Sequence, residues 1–191
     1  MPACQLYCER CQSQETRTLA EPDFTLLLAT GAVQGPCHSC REITSWKVLL
    51  LPRRERPPGE EAQPRRVLVI DDDLTTLRLL RGILENEGYL AETAGSPDLA
   101  IEKLQFRDFD VILADIVMPD FDGRTLYRFL AVLLPHYADR VIFVTADQSP
   151  DTLRFFQECR RPHLFKPIDR EQLMARLREV CSPSTTPPAP A

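Results

Sequence analysis

The sequence lacks three features that would place it in large classes of proteins. It has no excess of basic residues, because 23 lysines and arginines stand against 28 aspartates and glutamates and the net charge is −5. It contains no apolar run of the roughly 20 residues that a membrane-spanning helix requires, and no basic, then apolar, signal-peptide layout at its start. These absences disfavour nucleic acid and membranes as partners and predict a soluble, cytoplasmic protein.

The prolines divide the chain. Of 17 prolines, four lie between Pro52 and Pro64 and four lie in the tail after Cys181. Both segments are poor in residues that could form a core, so we predict a linker at 52–64 and a disordered tail at 182–191. Residues 1–64 carry 7 basic and 8 acidic side chains, and the rest carries 16 and 20. Neither part therefore has the basic surface typical of nucleic-acid binding.

Residues 1–51 contain two CxxC pairs, Cys8 with Cys11 and Cys37 with Cys40, separated by 25 residues. Seven cysteines in all, an odd number, fit a reducing compartment and a metal better than a disulfide framework. Two thiolates three positions apart can share one metal ion, and a second pair completes a closed tetrahedral site. The four cysteines are therefore candidate ligands of a structural Zn²⁺.

The rest of this segment predicts short strands and turns. Phe24 to Thr30 is predicted as a strand, Gly31 and Gly35-Pro36 as turns, and a further strand lies within Ile43 to Leu51. Two cysteine knuckles with short antiparallel strands resemble a zinc ribbon, although the gap exceeds the commonest ~15 to 20 residues. A redox dithiol or an accidental spacing of one pair stays open. A ribbon can bind protein or nucleic acid, or only stabilise itself, and its near-neutral charge favours an unknown protein partner.

From Arg65 to Cys181, apolar strands alternate five times with stretches of helical period. Each predicted strand is followed by a predicted helix. The strands are 67–70, 90–94, 111–114, 141–144 and 163–165. Such alternation gives a doubly wound parallel sheet with right-handed crossovers and helices on both faces.

Polar residues stand where these strands end: Asp71 to Asp73 after the first, Asp115 after the third, Thr145 after the fourth and Lys166 after the fifth. In a parallel sheet these ends open on one edge, where α/β folds bind ligands. Gathered carboxylates repel one another unless a cation lies among them, and hard oxygen ligands suit Mg²⁺. We therefore predict a magnesium site at this edge.

Four motifs occur in order here: Val-Leu-Val-Ile-Asp-Asp-Asp, Asp-Ile-Val-Met-Pro-Asp-Phe-Asp-Gly, Val-Thr-Ala and Phe-Lys-Pro-Ile. Together they resemble the receiver domain of bacterial two-component response regulators over residues 65–181. The resemblance implies a flavodoxin-like (βα)5 fold and a phosphorelay signalling protein. It also implies that the only chemistry is self-catalysed phosphotransfer and dephosphorylation, without enzymatic turnover of a separate substrate.

The resemblance also assigns roles. Asp115 would accept a phosphoryl group from a histidine kinase or a phosphotransfer protein. Lys166 would pair with the phosphoryl oxygens, and Thr145 would swing its hydroxyl toward them. Mg²⁺ would be held by three side chains and one backbone carbonyl: Asp71, Asp72, Asp115 and Val117. A homodimer through the receiver stays open.

One position departs from the family pattern. An aromatic residue usually lies three positions before the lysine and changes rotamer on activation, and His163 stands there. The imidazole could still switch, and it could add pH sensitivity. Val117 and Asp147 occupy the two positions that tune phosphoryl loss in the family, so we expect an altered lifetime.

Four other interpretations remain open at this point. Asp71 to Asp73 could merely cap the next helix. The run from Ile70 to Thr75 also resembles the first motif of haloacid-dehalogenase-type phosphatases, in which Asp71 would be the nucleophile. The ribbon could make the protein a DNA-binding regulator. The receiver could also bind partners without being phosphorylated, since His163 weakens the resemblance at the switch.

Overall fold

The computed structural model of the protein describes residues 3–20, 22–23, 26–27, 32–48, 64–118 and 122–181. The predicted tail, and the predicted linker apart from Pro64, lie outside these residues. The described chain forms two separate sheets, one antiparallel and one parallel. Among the described residues, no helix is both long enough and apolar enough to cross a membrane.

The first sheet has four antiparallel strands in the order β2-β1-β4-β3. They are β1 (Ala3–Cys8), β2 (Gln14–Thr18), β3 (Ala32–Pro36) and β4 (Ile43–Val48). Strand alternation places Leu6, Cys8 and Trp46 on one face, and all three are fully buried. The opposite face is more exposed and carries mostly polar residues, together with Tyr7 and the exposed Ile43.

The sequence located β4 but misplaced its neighbours. Gly35 and Pro36 close β3, although they were predicted as a turn. The predicted strand from Phe24 to Thr30 falls mostly outside the described residues, and its two described residues, Leu26 and Leu27, are helical. The prediction missed β1 and β2 because their polar residues, especially Gln14 to Thr18, give no apolar run.

The second sheet has five parallel strands in the order β6-β5-β7-β8-β9. The strands are β5 (Arg66–Ile70), β6 (Leu90–Ala94), β7 (Val111–Ala114), β8 (Val141–Thr145) and β9 (His163–Phe165). The helices are α1 (Leu74–Asn86), α2 (Pro97–Phe106), α3 (Gly123–Leu133), α4 (Pro135–Ala138), α5 (Pro150–Cys159) and α6 (Arg170–Cys181). This is the predicted flavodoxin-like order, and it confirms the fold class. Of these six helices, the short α4 was the one that the sequence did not predict.

Helices cover both faces of the parallel sheet. Buried residues of α1 and α6 pack on one face, and those of α2, α3 and α5 pack on the other. The buried residues under α2, α3 and α5 form one hydrophobic cluster with the buried side of the antiparallel sheet, and β1 packs against α2. The central strands β5, β7 and β8 are buried on both faces over nearly their whole length, which explains their apolar runs. The edge strands β6 and β9 are only partly buried.

Local signals at the carboxyl edge fix where the helices begin. Asp73, Ser96, Asp122 and Ser149 each accept a hydrogen bond from a backbone N–H of the helix that follows. Pro97 and Pro150 occupy the first helical position, where a missing N–H costs nothing. The helices therefore start directly after the strand ends that carry the predicted site.

Candidate functional site

Three carboxylates meet at the carboxyl edge of the parallel sheet. Asp71 and Asp72 follow β5, Asp115 follows the neighbouring β7, and oxygen atoms of all three lie within 4.8 Å of one another. Asp71 and Asp115 are buried, with 1% and 6% of their surfaces exposed, whereas Asp72 is open to solvent. The sheet thus brings together residues that are 44 positions apart in sequence.

Lys166 reaches this cluster from the end of β9. Its Nζ donates to Asp71 Oδ2 at 2.7 Å and to Asp115 Oδ2 at 2.6 Å. Partial burial by itself lowers the pKa of Lys166, but the hydrogen bonds to Asp115 and Asp71 outweigh it, so the pKa is raised. The ammonium group therefore stays charged and holds two carboxylates at once.

The raised pKa of Asp71 indicates that burying its ionised carboxylate costs free energy. An ion pair normally lowers the pKa of a carboxylate, yet burial raises the pKa of Asp71 by more than the hydrogen bond from Lys166 lowers it. The nearby charge of Asp115 adds to the rise. One ammonium group is thus insufficient for these acids, and a further cation beside them would be stabilised.

Backbone contacts orient the acceptor candidate. The N–H of Val117 donates to Asp115 Oδ1 at 3.0 Å, while Lys166 holds the other oxygen, Oδ2. Gly123 lies against the same residue, because a Cβ atom at position 123 would be 2.1 Å from the Asp115 carbonyl oxygen. Glycine is therefore required where the loop after Asp115 returns to begin α3. The predicted role of the Val117 carbonyl in binding Mg²⁺ stays a prediction.

The capping interpretation holds for only one of the three consecutive acids. Asp73 accepts from the N–H groups of Thr75 and Thr76 at 3.0 and 3.1 Å, and from the Thr76 hydroxyl at 2.8 Å. These bonds lower the pKa of Asp73, with the Thr75 N–H contributing most. Asp71 and Asp72 lie in the carboxylate cluster instead.

Thr145 ends β8 at the same edge and is fully buried. Its hydroxyl accepts from the N–H of Asp147 at 3.1 Å, and its carbonyl accepts from the N–H of Lys166 at 2.9 Å. The lysine and the threonine are thus tied through the backbone of adjacent strands. The Asp147 N–H thus helps to fix the position of the Thr145 hydroxyl.

The sequence did not reveal a polar network beyond Thr145. The Asp147 carboxylate accepts from both Ser149 and Thr152, and Arg124 donates from α3 to the Thr152 hydroxyl. The Ser149-Pro150 pair is a readable helix start. Nothing in the sequence indicates Arg124, because an arginine in the first turn of a helix usually faces solvent.

His163, at the departing position, is part of an aromatic cluster. Its ring stacks on Phe156 of α5, with centroids 4.0 Å apart and an angle of 7° between the planes. It also meets the edge of Phe165 at 5.4 Å. The imidazole therefore packs against aromatic rings between β9 and α5, as a phenylalanine or tyrosine at this position could.

The four predicted cysteines converge in the antiparallel sheet, and their sulfur atoms lie within 4.8 Å of one another. Cys11 Sγ is 3.6 Å from Cys37 Sγ, and Cys8 Sγ is 4.0 Å from Cys40 Sγ. A tetrahedral Zn²⁺ with ligands at ~2.3 Å requires sulfurs about 3.8 Å apart. The backbone N–H of Cys40 and the Ser13 hydroxyl lower the pKa of Cys37 to about 6. The hydrogen bond from the Glu42 N–H lowers the pKa of Cys40, but burial and the neighbouring cysteines outweigh it and raise the pKa to about 11. The fit to zinc therefore rests on the geometry of the four sulfur atoms.

Comparison with known proteins concerns the second sheet. The family profile of the response regulator receiver domain matches residues 67–178. The chain is 32% identical over 115 residues to the transcriptional regulatory protein ZraR of Escherichia coli O157:H7, covering 60% of this chain and 26% of that protein. It is 32% identical over 142 residues to TrcR of Mycobacterium tuberculosis, covering 74% and 53%. The chain thus spans about a quarter to a half of the length of these relatives.

Solved structures agree. The chemotaxis protein CheY4 of Vibrio cholerae superposes with a TM-score of 0.53 at 28% identity, covering 61% of this chain and 98% of that one. A CheY-like receiver domain from Methanospirillum hungatei JF-1 gives 0.55 at 28%, covering 61% and 93%. The fold, the strand order and the matched residues converge on one conclusion: the chain belongs to the response regulator receiver domain family.

Proposed function

We propose that this protein is a phosphorelay response regulator in which Asp115 accepts a phosphoryl group from a phosphohistidine of a histidine kinase or phosphotransfer protein. The observation that carries the proposal is the setting of Asp115. Its Oδ2 lies 2.6 Å from the Lys166 ammonium group, and oxygens of Asp71 and Asp72 lie within 4.8 Å of its own. A nucleophile, a cation and a metal-binding pair of acids are what phosphoryl transfer needs.

In the proposed step, a carboxylate oxygen of Asp115 attacks the phosphorus of the donor. The phosphorus–nitrogen bond breaks, and the imidazole leaves with its electron pair and takes up a proton. The product is a mixed anhydride, which water later cleaves to phosphate and the free carboxylate. Lys166 stabilises the charge that builds on the phosphoryl oxygens, since its ammonium group already lies against Asp115 Oδ2.

Mg²⁺ would be held by Asp71, Asp72 and Asp115, with the Val117 carbonyl as the predicted fourth protein ligand. The donor set fits, because these are hard oxygen ligands that lie within 4.8 Å of one another. When bound, Mg²⁺ would neutralise phosphoryl charge.

Thr145 and His163 are the proposed switch residues. Phosphorylation adds up to about two negative charges beside Thr145, and its hydroxyl can turn toward them. His163 links that edge to α5 through its stack on Phe156. The charge change at Asp115 would therefore be transmitted to the face formed by β9 and α5.

The antiparallel sheet is proposed as a zinc ribbon at 1–51, with Cys8, Cys11, Cys37 and Cys40 as ligands, joined by a linker at 52–64 to a receiver at 65–181 and a tail at 182–191. The near-neutral charge of residues 1–64 favours a protein partner over nucleic acid. The homodimer through the receiver and the cytoplasmic location stay predictions.

A phosphodonor experiment tests the central claim. The protein is incubated with acetyl phosphate and Mg²⁺, and the added phosphoryl mass is measured on the intact chain. We expect wild type and Asp151→Asn, a change at an exposed acid of α5, to be labelled equally, and Asp115→Asn to remain unlabelled. Labelling of Asp115→Asn at the wild-type level would overturn the proposal.

The phosphatase alternative is not favoured. In that family's motif the second acid must face the substrate, and here Asp73 is occupied in capping α1. Loss of label with Asp71→Asn alone, together with turnover of phosphate esters, would restore it. The DNA-binding alternative would need salt-dependent DNA binding by the cysteine-containing region, which has a near-neutral charge.

A further inference from the structure

A polar network joins the first turn of α3 to the first turn of α5. Arg124 Nη2 donates to Thr152 Oγ1 at 2.5 Å, and Thr152 Oγ1 in turn donates to Asp147 Oδ2. Ser149 donates from its hydroxyl to Asp147 Oδ2 at 3.0 Å and from its N–H to Asp147 Oδ1 at 2.9 Å. The guanidinium group of Arg124 lies 3.9 Å from the same carboxylate. We call Arg124, Asp147 and Thr152 the latch.

The latch lies between the acceptor and the switch residue. Arg124 follows Gly123, whose backbone is pressed against the Asp115 carbonyl. Asp147 is at the other end, and its N–H donates to the Thr145 hydroxyl at 3.1 Å. The latch therefore connects the loop that carries the acceptor to the loop that holds the switch hydroxyl.

The latch is buried and tightly partnered at its centre. Thr152 is fully buried, and its one hydroxyl accepts from Arg124 while donating to Asp147. The Thr152 hydroxyl is the main cause of the lowered pKa of Asp147. The hydrogen bonding of Arg124 is incomplete. Its buried Nε has no hydrogen-bond partner among the described residues and lies 3.8 Å from Asp122 Oδ2.

We propose that the latch holds the β8–α5 loop in the conformation that keeps the Thr145 hydroxyl on the Asp147 N–H, and so opposes the phosphorylation switch. Arg124 and Thr152 are then positioning residues, which act on Asp115 through the loop rather than by contact. Turning the Thr145 hydroxyl toward Asp115 removes the acceptor of the Asp147 N–H. The loop must move to replace that acceptor, and the latch resists the movement.

This inference rests on the proposed phosphoacceptor role and adds a direction to it. A group on Asp115 that favours the switched conformation must do work against the latch. Weakening the latch raises the population of the switched conformation before the group binds. Its apparent affinity then increases by the same factor, as long as that population remains small.

Beryllium fluoride with Mg²⁺, a tetrahedral phosphoryl analogue that attaches to a carboxylate, is the probe. Its dissociation constant is measured on the full chain by isothermal titration calorimetry. Thr152→Val removes the hydroxyl and keeps the shape, and Thr152→Ser is the matched control that keeps the hydroxyl. We expect Thr152→Val to bind roughly three- to tenfold more tightly than wild type, the effect of losing about one hydrogen bond, and Thr152→Ser to bind as wild type does.

Arg124→Gln gives a second, independent reading, since it weakens the same latch from α3, and should also bind more tightly. If Thr152→Val fails to fold in a thermal unfolding control, Arg124→Gln decides. Unchanged or weaker binding by the folded variants would overturn the latch. A wild-type protein that does not bind the probe at all would instead overturn the phosphoacceptor role of Asp115.

Discussion

The two sheets of this molecule each gather ligand atoms within 4.8 Å of one another, and they do so with opposite energetic consequences. Among the described residues before Pro64, few large side chains are buried, chiefly Leu6, Leu27 and Trp46, so the sulfur cluster there can supply stability through a metal. The parallel sheet has an extensive core on both faces, and its oxygen cluster is a burden, since burial raises the pKa of Asp71. We therefore expect the sulfur cluster, with a bound metal, to stabilise the antiparallel sheet, and the oxygen cluster to reduce the stability of the parallel sheet.

Metal removal breaks this comparison most directly. We expect a chelator, or Cys37→Ser, to unfold the antiparallel sheet and leave the parallel one folded, because structural zinc contributes ~10 to 16 kcal/mol in small zinc-binding domains. The sequence has one tryptophan, and Trp46 is fully buried in the antiparallel sheet, so its emission reports this region alone. The measurement is a red shift of that emission, with helical circular dichroism as the readout of the receiver.

Cys159→Ser is the matched control, because Cys159 lies in α5, away from the sulfur cluster. It should leave the tryptophan emission unchanged. A chelator that shifts neither signal would mean that the antiparallel sheet is stable without metal. Simultaneous loss of both signals would show that the contact between β1 and α2 couples the two regions into one folding unit.

The oxygen cluster should respond to the loss of its cation in rate rather than in fold. Lys166→Met removes the ammonium group that donates to Asp71 and Asp115, so the initial rate of labelling by acetyl phosphate should fall on the order of 10²-fold. Lys103→Met removes the same charge on α2 and should be labelled at the wild-type rate. A loss below threefold in Lys166→Met would show that the bound metal alone neutralises the phosphoryl group.

A pair of glycines sharpens the comparison within the receiver itself. Gly123→Ala would place a Cβ atom 2.1 Å from the Asp115 carbonyl oxygen, so helix α3 must shift, and we expect a loss of about 1 to 3 kcal/mol. Gly82 lies in α1 with nothing within 4 Å of the corresponding position, and Gly82→Ala should add roughly 0.5 to 1 kcal/mol. Denaturant unfolding measures both, and stability changes of the same sign would contradict the close contact at Gly123.

The two regions also differ in how far the sequence predicted them. The central receiver strands β5, β7 and β8 are largely apolar runs, four strands end at Asp71, Asp115, Thr145 and Lys166, and parallel topology fixes which ends share an edge. Fold and site could therefore be predicted together. In the antiparallel sheet, β2 is polar throughout and pairs with β1 in a register that no local pattern specifies, so only the cysteine spacing and the alternation in β4 were informative.

The latch could not be predicted for a different reason. Thr152 sits in an ordinary helical first turn, and Arg124 in another, and the two come together only because α3 and α5 pack on the same face of the sheet. Side-chain pairs between helices depend on tertiary placement that periodicity does not give. The sequence does predict which residues stand at strand ends, because that position follows from the strands themselves.

The smallest expected effect concerns an ion-pair network on the receiver, which carries stability without any metal. Glu92 accepts from Lys103 at 2.8 Å and from Arg107 at 2.6 Å. Burial tends to raise the pKa of Glu92, but the bonds to these two cations outweigh it and the pKa is lowered below the ordinary 4.5. The ionised form is thus favoured in the folded state, and its stabilising contribution is present above that pH and lost as the pH falls through the lowered value.

Glu92→Gln should therefore cost about 1 kcal/mol at pH 7, and the cost should shrink as the pH falls below about 4.5. The measurement is denaturant unfolding at several pH values, followed by helical circular dichroism so that it reports the receiver. Glu102→Gln makes the same charge change at an exposed position of α2 and should have no such dependence. A cost for Glu92→Gln that stays constant down to pH 3 would mean that Glu92 acts through packing and not through its charge.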